Sequence, residues 1–183
     1  ETKSSAADAR KEIAASGLKV MGACAIVLRL NDAEWPWEKQ RVAFLPQLDL
    51  AAQLESPFVV CVDLGQRSPS ATDDMELLTQ RFRTLAEDAA PRNLKMCLEF
   101  LARIGPVNCL STAIRLVRQV DRPNFGLLLD LYHFHLSESR LDDLGALPEG
   151  KLFMGHLDDA PDVPIEWLTH NQRAFPGEGT LPI

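Results

Sequence analysis

The sequence contains five short apolar runs separated by longer amphipathic stretches. The runs are rich in Val, Leu, Ile, Cys or Phe and are continuous rather than alternating, which is typical of strands buried on both faces of a parallel sheet. They cover residues 22–30, 57–64, 94–100, 125–134 and 151–159. Helical spacing of apolar residues predicts helices over 4–16, 38–55, 73–90 and 110–120. In the second of these, Pro46 predicts a kink or a second helix start.

The spacing of the runs predicts the fold class. Successive runs start about one βα unit apart, so the chain is predicted to be α/β with a parallel sheet and right-handed crossovers. No GxGxxG motif or P-loop follows a strand, which disfavours a nucleotide-binding doubly wound sheet. A (β/α)8 TIM barrel is therefore the predicted fold. Such a barrel normally needs about 250 residues, so we expect residues 1–183 to be a single incomplete barrel domain, without the first two and the last βα units.

Charge and composition restrict the partners. The chain has 19 Lys and Arg against 26 Asp and Glu, a formal net charge of −7, with no basic cluster, so no nucleic-acid partner is expected. The apolar runs are too short to span a bilayer, and the first residues carry no signal or transit pattern. We therefore expect a cytoplasmic protein with no membrane partner; a homo-oligomer stays open. The four cysteines form no CxxC pair and are predicted to be reduced, mostly buried residues: Cys24, Cys61, Cys97 and Cys109.

Three consecutive predicted strands end in side chains that commonly bind metals. These residues are Glu99, Asp130 and His156. The carboxyl ends of parallel barrel strands converge on one mouth, where active sites lie. Two carboxylates and one imidazole suit one divalent ion such as Mn²⁺, Mg²⁺, Co²⁺ or Zn²⁺. Each residue alone is better explained as a cap on a neighbouring helix, but the three together favour a metal site.

Further polar side chains follow the same strand ends. His133 is expected to face the mouth, and Asp158 to share the face of His156 if that strand continues. Arg173 precedes the loop PGEG and offers a fixed guanidinium that suits a substrate oxyanion, although an exposed surface arginine is an equal alternative.

Four other residues near the strand ends are weaker candidates for site residues. Asp159 is expected to point away from it, and His135 is interpreted mainly as a structural histidine. Trp35 and Trp37 follow the first strand and either wall a pocket or pack on the barrel rim.

Three segments resemble a known family. They are KMCLEF, VNCLSTAIRLVRQVDRPNFGLLLDLYHFH and LFMGHLDDAPDVPIEWLTHNQRAFPGEGTLPI. They are similar to the second half of the xylose isomerase-like TIM barrels, the sugar phosphate isomerase/epimerase superfamily, and within it to the inosose (2-keto-myo-inositol) isomerases. The order HLDD, then Arg, then PGEG is specific, and the match extends from about Leu94 to Ile183. Before Leu94 the resemblance is one of architecture.

The resemblance implies a site and a set of ligands. Family members bind one divalent metal through Glu, Asp and His on the fifth, sixth and seventh strands, which fall on Glu99, Asp130 and His156. The family's eighth-strand Glu has no counterpart in this sequence. The family's substrate-contacting His and Arg fall on His133 and Arg173.

The implied reaction is isomerisation or epimerisation of a ketose or cyclitol by proton transfer through a metal-stabilised enediolate. Glu99 is expected to be a metal ligand and one of two proton carriers, while His133, Arg173 and Asp158 contact the substrate. A lyase on the same barrel, such as 3-dehydroshikimate dehydratase, and a non-catalytic remnant or binding module are the alternatives. An endonuclease IV-like nuclease is disfavoured by four His and a net charge of −7. The exact substrate, and whether it is phosphorylated, stay open.

Overall fold

The computed structural model describes residues 5–183, apart from the side chains of Cys24 and Ala25. The strands are β1 (Ala23–Leu28), β2 (Phe58–Asp63), β3 (Lys95–Glu99), β4 (Phe125–Asp130) and β5 (Leu152–His156). The α-helices are α1 (Ala6–Ala15), α2 (Trp37–Gln53), α3 (Ala71–Ala89), α4 (Leu110–Val120) and α5 (Leu131–Leu136). Short 3-10 helices cover Ala90–Arg92, Leu141–Ala146 and Ile165–Trp167. Every predicted run contains a strand and every predicted amphipathic stretch a helix; Ser4, where the first prediction begins, lies outside the described residues.

The five strands form one sheet in chain order, and every neighbouring pair is parallel. The register places Glu99 beside Leu128, and Asp130 beside His156. The carboxyl ends of β3, β4 and β5 therefore lie at one edge of the sheet. Parallel strands in sequential order, joined by helices, are the arrangement of a (β/α) barrel, which confirms the predicted fold class for these five units.

The two faces of the sheet carry different apolar clusters. The outer face packs against α2, α3 and α4 in a large cluster that includes Leu28, Cys61, Leu98 and Leu127. The inner face carries a smaller group, here called the inner cluster, formed by Val60, Cys97 and Leu128 with Phe58, Phe153 and Met154 packed against them. Because side chains alternate along a strand, residues two positions beyond a member of the inner cluster also face inward.

Two elements differ from the sequence prediction. Helix α2 continues as one helix through Pro46, so the predicted second start is wrong. Pro46 lies on the exposed side, while Phe44 and Leu48 hold the buried side against the sheet. The apolar run 125–134 is a strand only as far as Asp130, and the residues after it form α5.

Two further sequence expectations can be compared with the described residues. Within 5–183, no helix is both long and apolar enough to cross a bilayer. Cys61 and Cys97 are buried in β2 and β3, and burial raises the pKa of the Cys97 thiol to about 12. Cys109 is half-buried, and the predicted burial of Cys24 lies outside the described side chains.

Asp63 ends β2 on the outer face and is almost completely buried. Its Oδ1 accepts hydrogen bonds from the backbone N–H groups of Leu30 and Gly65, at 3.0 and 3.1 Å. Its Oδ2 is buried without a hydrogen-bond partner among the described residues. Burial therefore raises the pKa of Asp63 to about 6, against an ordinary value of 3.8.

We expect the stability of the protein to fall with rising pH because of Asp63. A carboxyl group with a raised folded-state pKa binds its proton more tightly when folded, so its stabilising effect is complete below about pH 4 and is lost as the pH rises through 6. Urea unfolding from pH 4 to 7 should show the wild type losing about 2–3 kcal/mol relative to Asp63→Asn, which keeps an acceptor but does not titrate. Asp162→Asn, at an exposed carboxylate, is the control. Parallel profiles for the wild type and Asp63→Asn would contradict this assignment.

Candidate active site

Glu99, Asp130 and His156 lie side by side at the carboxyl ends of β3, β4 and β5. Each follows a residue of the inner cluster by two positions, namely Cys97, Leu128 and Met154. The alternation of side chains therefore brings all three to the inner face, at one edge of the sheet.

The three side chains are within contact distance. His156 Nδ1 lies 3.2 Å from Glu99 Oε1 and 3.5 Å from Asp130 Oδ2. The side chains of Glu99 and Asp130 are 11% and 3% exposed, whereas that of His156 is 41% exposed. Two nearly buried carboxylates thus form the floor of the site, and the imidazole covers them on the solvent side.

The two carboxylates attract positive charge. Hydrogen bonds to Asp130 and then to Glu99 raise the pKa of His156 to about 10. Burial opposes ionisation of Asp130, but hydrogen bonds from His156 and from the backbone N–H of His133 hold its pKa well below the ordinary value. The site therefore stabilises a cation between two carboxylates, which is also what a metal site requires.

Asp130 uses its two oxygens for different contacts. Oδ1 accepts a hydrogen bond from the backbone N–H of His133 at 2.7 Å and so caps α5. Oδ2 faces His156 and Arg173. The two interpretations of Asp130 from sequence, a helix cap and a metal-binding carboxylate, are therefore compatible. The cap also explains why α5 begins where the sequence predicted that the strand continues.

His133 is buried next to the same carboxylates. One of its ring nitrogens, one oxygen of Glu99 and one oxygen of Asp130 lie within 4.8 Å of one another. Its Nδ1 accepts a hydrogen bond from the backbone N–H of Ala102 at 3.3 Å. Burial lowers the pKa of His133, which favours the neutral ring. A neutral ring with an accepting Nδ1 carries its proton on Nε2.

Arg173 faces into this group and is only 30% exposed in its side chain. Its Nη2 lies 3.6 Å from Asp130 Oδ2 and 3.3 Å from His133 Nε2, and its Nε lies 3.5 Å from Asp158 Oδ2. Burial and the neighbouring Asp130 raise the pKa of Asp158. The structure thus brings Arg173 and Asp158 to the strand-end group, although β5 itself ends at His156.

Two residues that the sequence analysis did not select surround Arg173. Its guanidinium lies over the ring of Tyr132, with the central carbon 4.7 Å from the ring centre. It also donates a hydrogen bond to the carbonyl oxygen of His170, whose ring lies 5.3 Å from the ring of His133. A buried tyrosine inside an apolar run carries no signal of such a role in the sequence.

Asp159 holds the loop that follows Arg173. Its carboxylate accepts hydrogen bonds at 2.8–3.0 Å from four backbone N–H groups, those of Ala160, Gly177, Gly179 and Leu181. These bonds, the one from Leu181 first, lower its pKa. A Cβ at Gly179 would collide with the carbonyl oxygen of Ala160, which explains one glycine of the PGEG loop. Asp159 therefore serves the site indirectly, by fixing the loop.

The remaining candidates from sequence lie elsewhere. Trp35 packs edge-on against Phe44, with ring centres 5.6 Å apart, and Trp37 lies under Arg81 at 5.5 Å. Trp35 therefore packs near the start of α2, as in the rim alternative, whereas Trp37 lines a cavity there, away from the strand-end group. His135 is half-buried in α5, and the structure gives it no contact with the strand-end group.

The sequence and the fold match characterised proteins. The chain is 31% identical over 166 residues to an inosose isomerase of Halalkalibacterium halodurans, an alignment that covers 90% of this chain and 59% of that protein. It is 36% identical over 138 residues to a 3-dehydroshikimate dehydratase of Pseudomonas aeruginosa, covering 73% of this chain and 21% of that protein. Among solved structures, an IOLI protein with a bound zinc atom superposes with a TM-score of 0.89 at 27% identity, covering 98% of this chain and 66% of the other.

The family follows from these matches. The chain spans 59% of the length of the inosose isomerase relative and 21% of that of the dehydratase. A family model described as xylose isomerase-like TIM barrel matches residues 1–183. The resemblance stated from the sequence is therefore confirmed: the chain belongs to the xylose isomerase-like TIM barrel family.

Proposed function

We propose that the chain acts as a divalent-metal-dependent isomerase or epimerase on a ketose or cyclitol such as 2-keto-myo-inositol. The observation that carries the proposal is the convergence of two nearly buried carboxylates and an imidazole, Glu99, Asp130 and His156, at one edge of the sheet. Two nitrogen groups, from His133 and Arg173, flank them. The relatives named inosose isomerase support this choice of substrate class.

Glu99, Asp130 and His156 are the residues that we propose as metal ligands. Their oxygen and nitrogen donors suit Mn²⁺, Mg²⁺, Co²⁺ or Zn²⁺, and the zinc atom in the IOLI structure supports a divalent ion. The raised pKa of His156, about 10, reflects how strongly the carboxylates favour positive charge at this place. When bound, such an ion supplies Lewis-acid stabilisation of negative charge on a substrate oxygen.

His133 and Arg173 are proposed to bind substrate oxygen. Because Nδ1 of His133 accepts from Ala102, its Nε2 carries the proton and is a donor. Arg173 Nη2, 3.3 Å from that Nε2, is also a donor, so one substrate oxygen beside the pair accepts from both. Donors aimed at an oxygen that becomes negative stabilise the transition state. Asp158 is proposed to orient the guanidinium and to accept from a substrate hydroxyl.

Glu99 is proposed as one of the two proton carriers. Its carboxylate takes the proton from the carbon next to the ketone, and the C–H electron pair moves toward the carbonyl to leave an enediolate on the substrate. Return of the proton to the former carbonyl carbon, while the hydroxyl proton of the first carbon passes to the former carbonyl oxygen, gives the isomeric ketone. Return of a proton from the second carrier to the opposite face of the first carbon gives an epimer. The side chain is 11% exposed, so little bulk water competes for this proton.

A dehydratase is the second candidate function. The 3-dehydroshikimate dehydratase of Pseudomonas aeruginosa is 36% identical over 73% of this chain. Loss of water from that substrate also begins with removal of a proton next to a ketone, so the same residues serve either reaction. The two functions differ in their product: an isomer keeps the formula of the substrate, whereas a dehydratase product has lost one water.

We expect the purified protein, supplied with Mn²⁺, to introduce deuterium from D₂O into 2-keto-myo-inositol next to the ketone and to form an isomeric ketone, both followed by NMR. A chelator should stop both processes. Loss of water from 3-dehydroshikimate, with no exchange into the keto-inositol, would replace the proposal by the dehydratase. No reaction on either compound by folded, metal-loaded protein would contradict both and leave the binding-module alternative.

A further inference from the structure

Tyr132 supports Arg173 from two directions. It is a fully buried residue of α5, two positions after Asp130. Its ring lies under the guanidinium of Arg173, and its hydroxyl contacts the backbone of the turn that leads to Arg173. We propose that Tyr132 is a positioning residue that sets the orientation of Arg173 for substrate binding; this inference rests on the substrate-binding role proposed for Arg173.

The ring contact is a cation–π interaction between a buried ring and a guanidinium whose side chain is 30% exposed. The central carbon of the Arg173 guanidinium lies 4.7 Å from the centre of the Tyr132 ring, which is fully buried. Such contacts contribute about 0.5–2 kcal/mol, with the larger values where water is excluded. The contact places the guanidinium over the face of the ring. The nitrogens at the edge of the guanidinium face other residues: Nη2 lies beside His133, and Nε lies beside Asp158.

The hydroxyl contact fixes the backbone. Tyr132 Oη donates to the carbonyl oxygen of Thr169 at 2.6 Å. The same turn is closed by a bond from Gln172 N–H to Thr169 O at 3.3 Å and one from Thr169 N–H to Gln172 Oε1 at 2.7 Å. Arg173 follows immediately and donates to the carbonyl oxygen of His170. One side chain therefore holds both the guanidinium and the turn that carries it.

This support has a function because Arg173 lies between two carboxylates. Asp130 Oδ2 is 3.6 Å from Nη2, and Asp158 Oδ2 is 3.5 Å from Nε. Electrostatic attraction alone would let the guanidinium turn toward either of them. A guanidinium that moves off the ring loses the cation–π contact, so the ring favours the position in which Nη2 lies beside His133 Nε2, where we place a substrate oxygen. Tyr132 thus acts on the substrate through Arg173.

The test compares Tyr132→Leu, which removes the ring face and the hydroxyl, with Tyr132→Phe, which removes the hydroxyl alone. We expect Tyr132→Leu to raise KM for the keto-inositol about 2- to 30-fold, the range that corresponds to the lost cation–π contact, with a much smaller change in kcat. Tyr132→Phe should restore most of the affinity. In an Arg173→Met background, Tyr132→Leu should add less than about a two-fold effect, because the cation above the ring is already gone.

A second measurement is independent of turnover. In NMR spectra of the wild type, the side-chain Nε–H and δ-CH₂ protons of Arg173 should be shifted upfield by the ring current of Tyr132. The shift should persist in Tyr132→Phe and vanish in Tyr132→Leu. Trp37→Leu is the matched control, since it removes the ring under Arg81, 5.5 Å away, and should leave Arg173 and KM unchanged.

The outcomes separate this inference from the proposed function. If the wild type turns over no ketose but shows the Arg173 shift, which Tyr132→Leu abolishes, the positioning role stands and the proposed substrate fails. If Tyr132→Leu keeps the wild-type KM, or raises KM equally with and without Arg173, the positioning role is overturned. If Tyr132→Leu does not fold, Tyr132→Phe decides: it should keep the upfield shift of Arg173 and weaken hydrogen-exchange protection of the Gln172 amide, and a lost shift or unchanged protection overturns the inference.

Discussion

Glu99→Gln should reduce both turnover and deuterium uptake into the keto-inositol by about 10²–10⁴-fold, the usual contribution of a positioned acid–base group. The amide has almost the same shape as the carboxylate but does not accept a proton near neutral pH. The rates should be measured at saturating Mn²⁺, with the bound metal determined by elemental analysis, because Glu99 is also proposed as a ligand. A loss of rate far larger than the loss of metal assigns the effect to proton transfer.

Glu149→Gln is the matched control for this experiment. Glu149 is exposed and lies before β5, at the opposite end of that strand from His156, so the same chemical change there should leave turnover unaffected. Near-normal turnover by metal-loaded Glu99→Gln would remove Glu99 from the proton pathway. The carboxylate would then keep only its role in the charge of the site, and the base would have to be sought among other residues.

The order of the sheet could be predicted because its signal is local. Each strand is a continuous apolar run, and the distance between runs leaves room for one helix. Helix α5 could not be predicted in this way, because its apolar residues directly continue the run of β4. It begins there because the side chain of Asp130 accepts a hydrogen bond from the backbone N–H of His133. The pattern of apolar residues does not indicate such a bond.

The same distinction explains what was found and what was missed at the site. Glu99, Asp130 and His156 could be selected because position at a strand end places a side chain at the mouth of the barrel. Tyr132 contacts Thr169, 37 positions later, and no spacing rule connects the two. The partners of Asp159 are backbone N–H groups as far as 22 residues away, and every residue except proline offers such a group. These contacts can be identified only once the folded structure is known.

About one divalent ion per chain is expected in the purified wild type after exposure to Mn²⁺, and an Asp130→Ala, His156→Ala double variant should lose it. The double substitution removes two of the three proposed donors and leaves Glu99 alone, which is too few protein ligands for a stable site. Elemental analysis after desalting measures the ratio. An Asp162→Ala, His135→Ala variant, which changes the same residue types away from the strand-end group, should keep the ion.

Single variants decide which histidine is the ligand. His133 and His156 both lie beside the carboxylate pair, but Ala102 N–H donates to Nδ1 of His133, which places the remaining proton on Nε2. If Nε2 bound the metal, the ring proton would move to Nδ1. It would then face the N–H of Ala102, which is also a donor, and the hydrogen bond would be lost. We therefore expect His156→Ala to lose metal, and His133→Ala to keep it while raising KM. The reverse result would show that the Ala102 bond breaks when metal binds, and would make His133 the ligand.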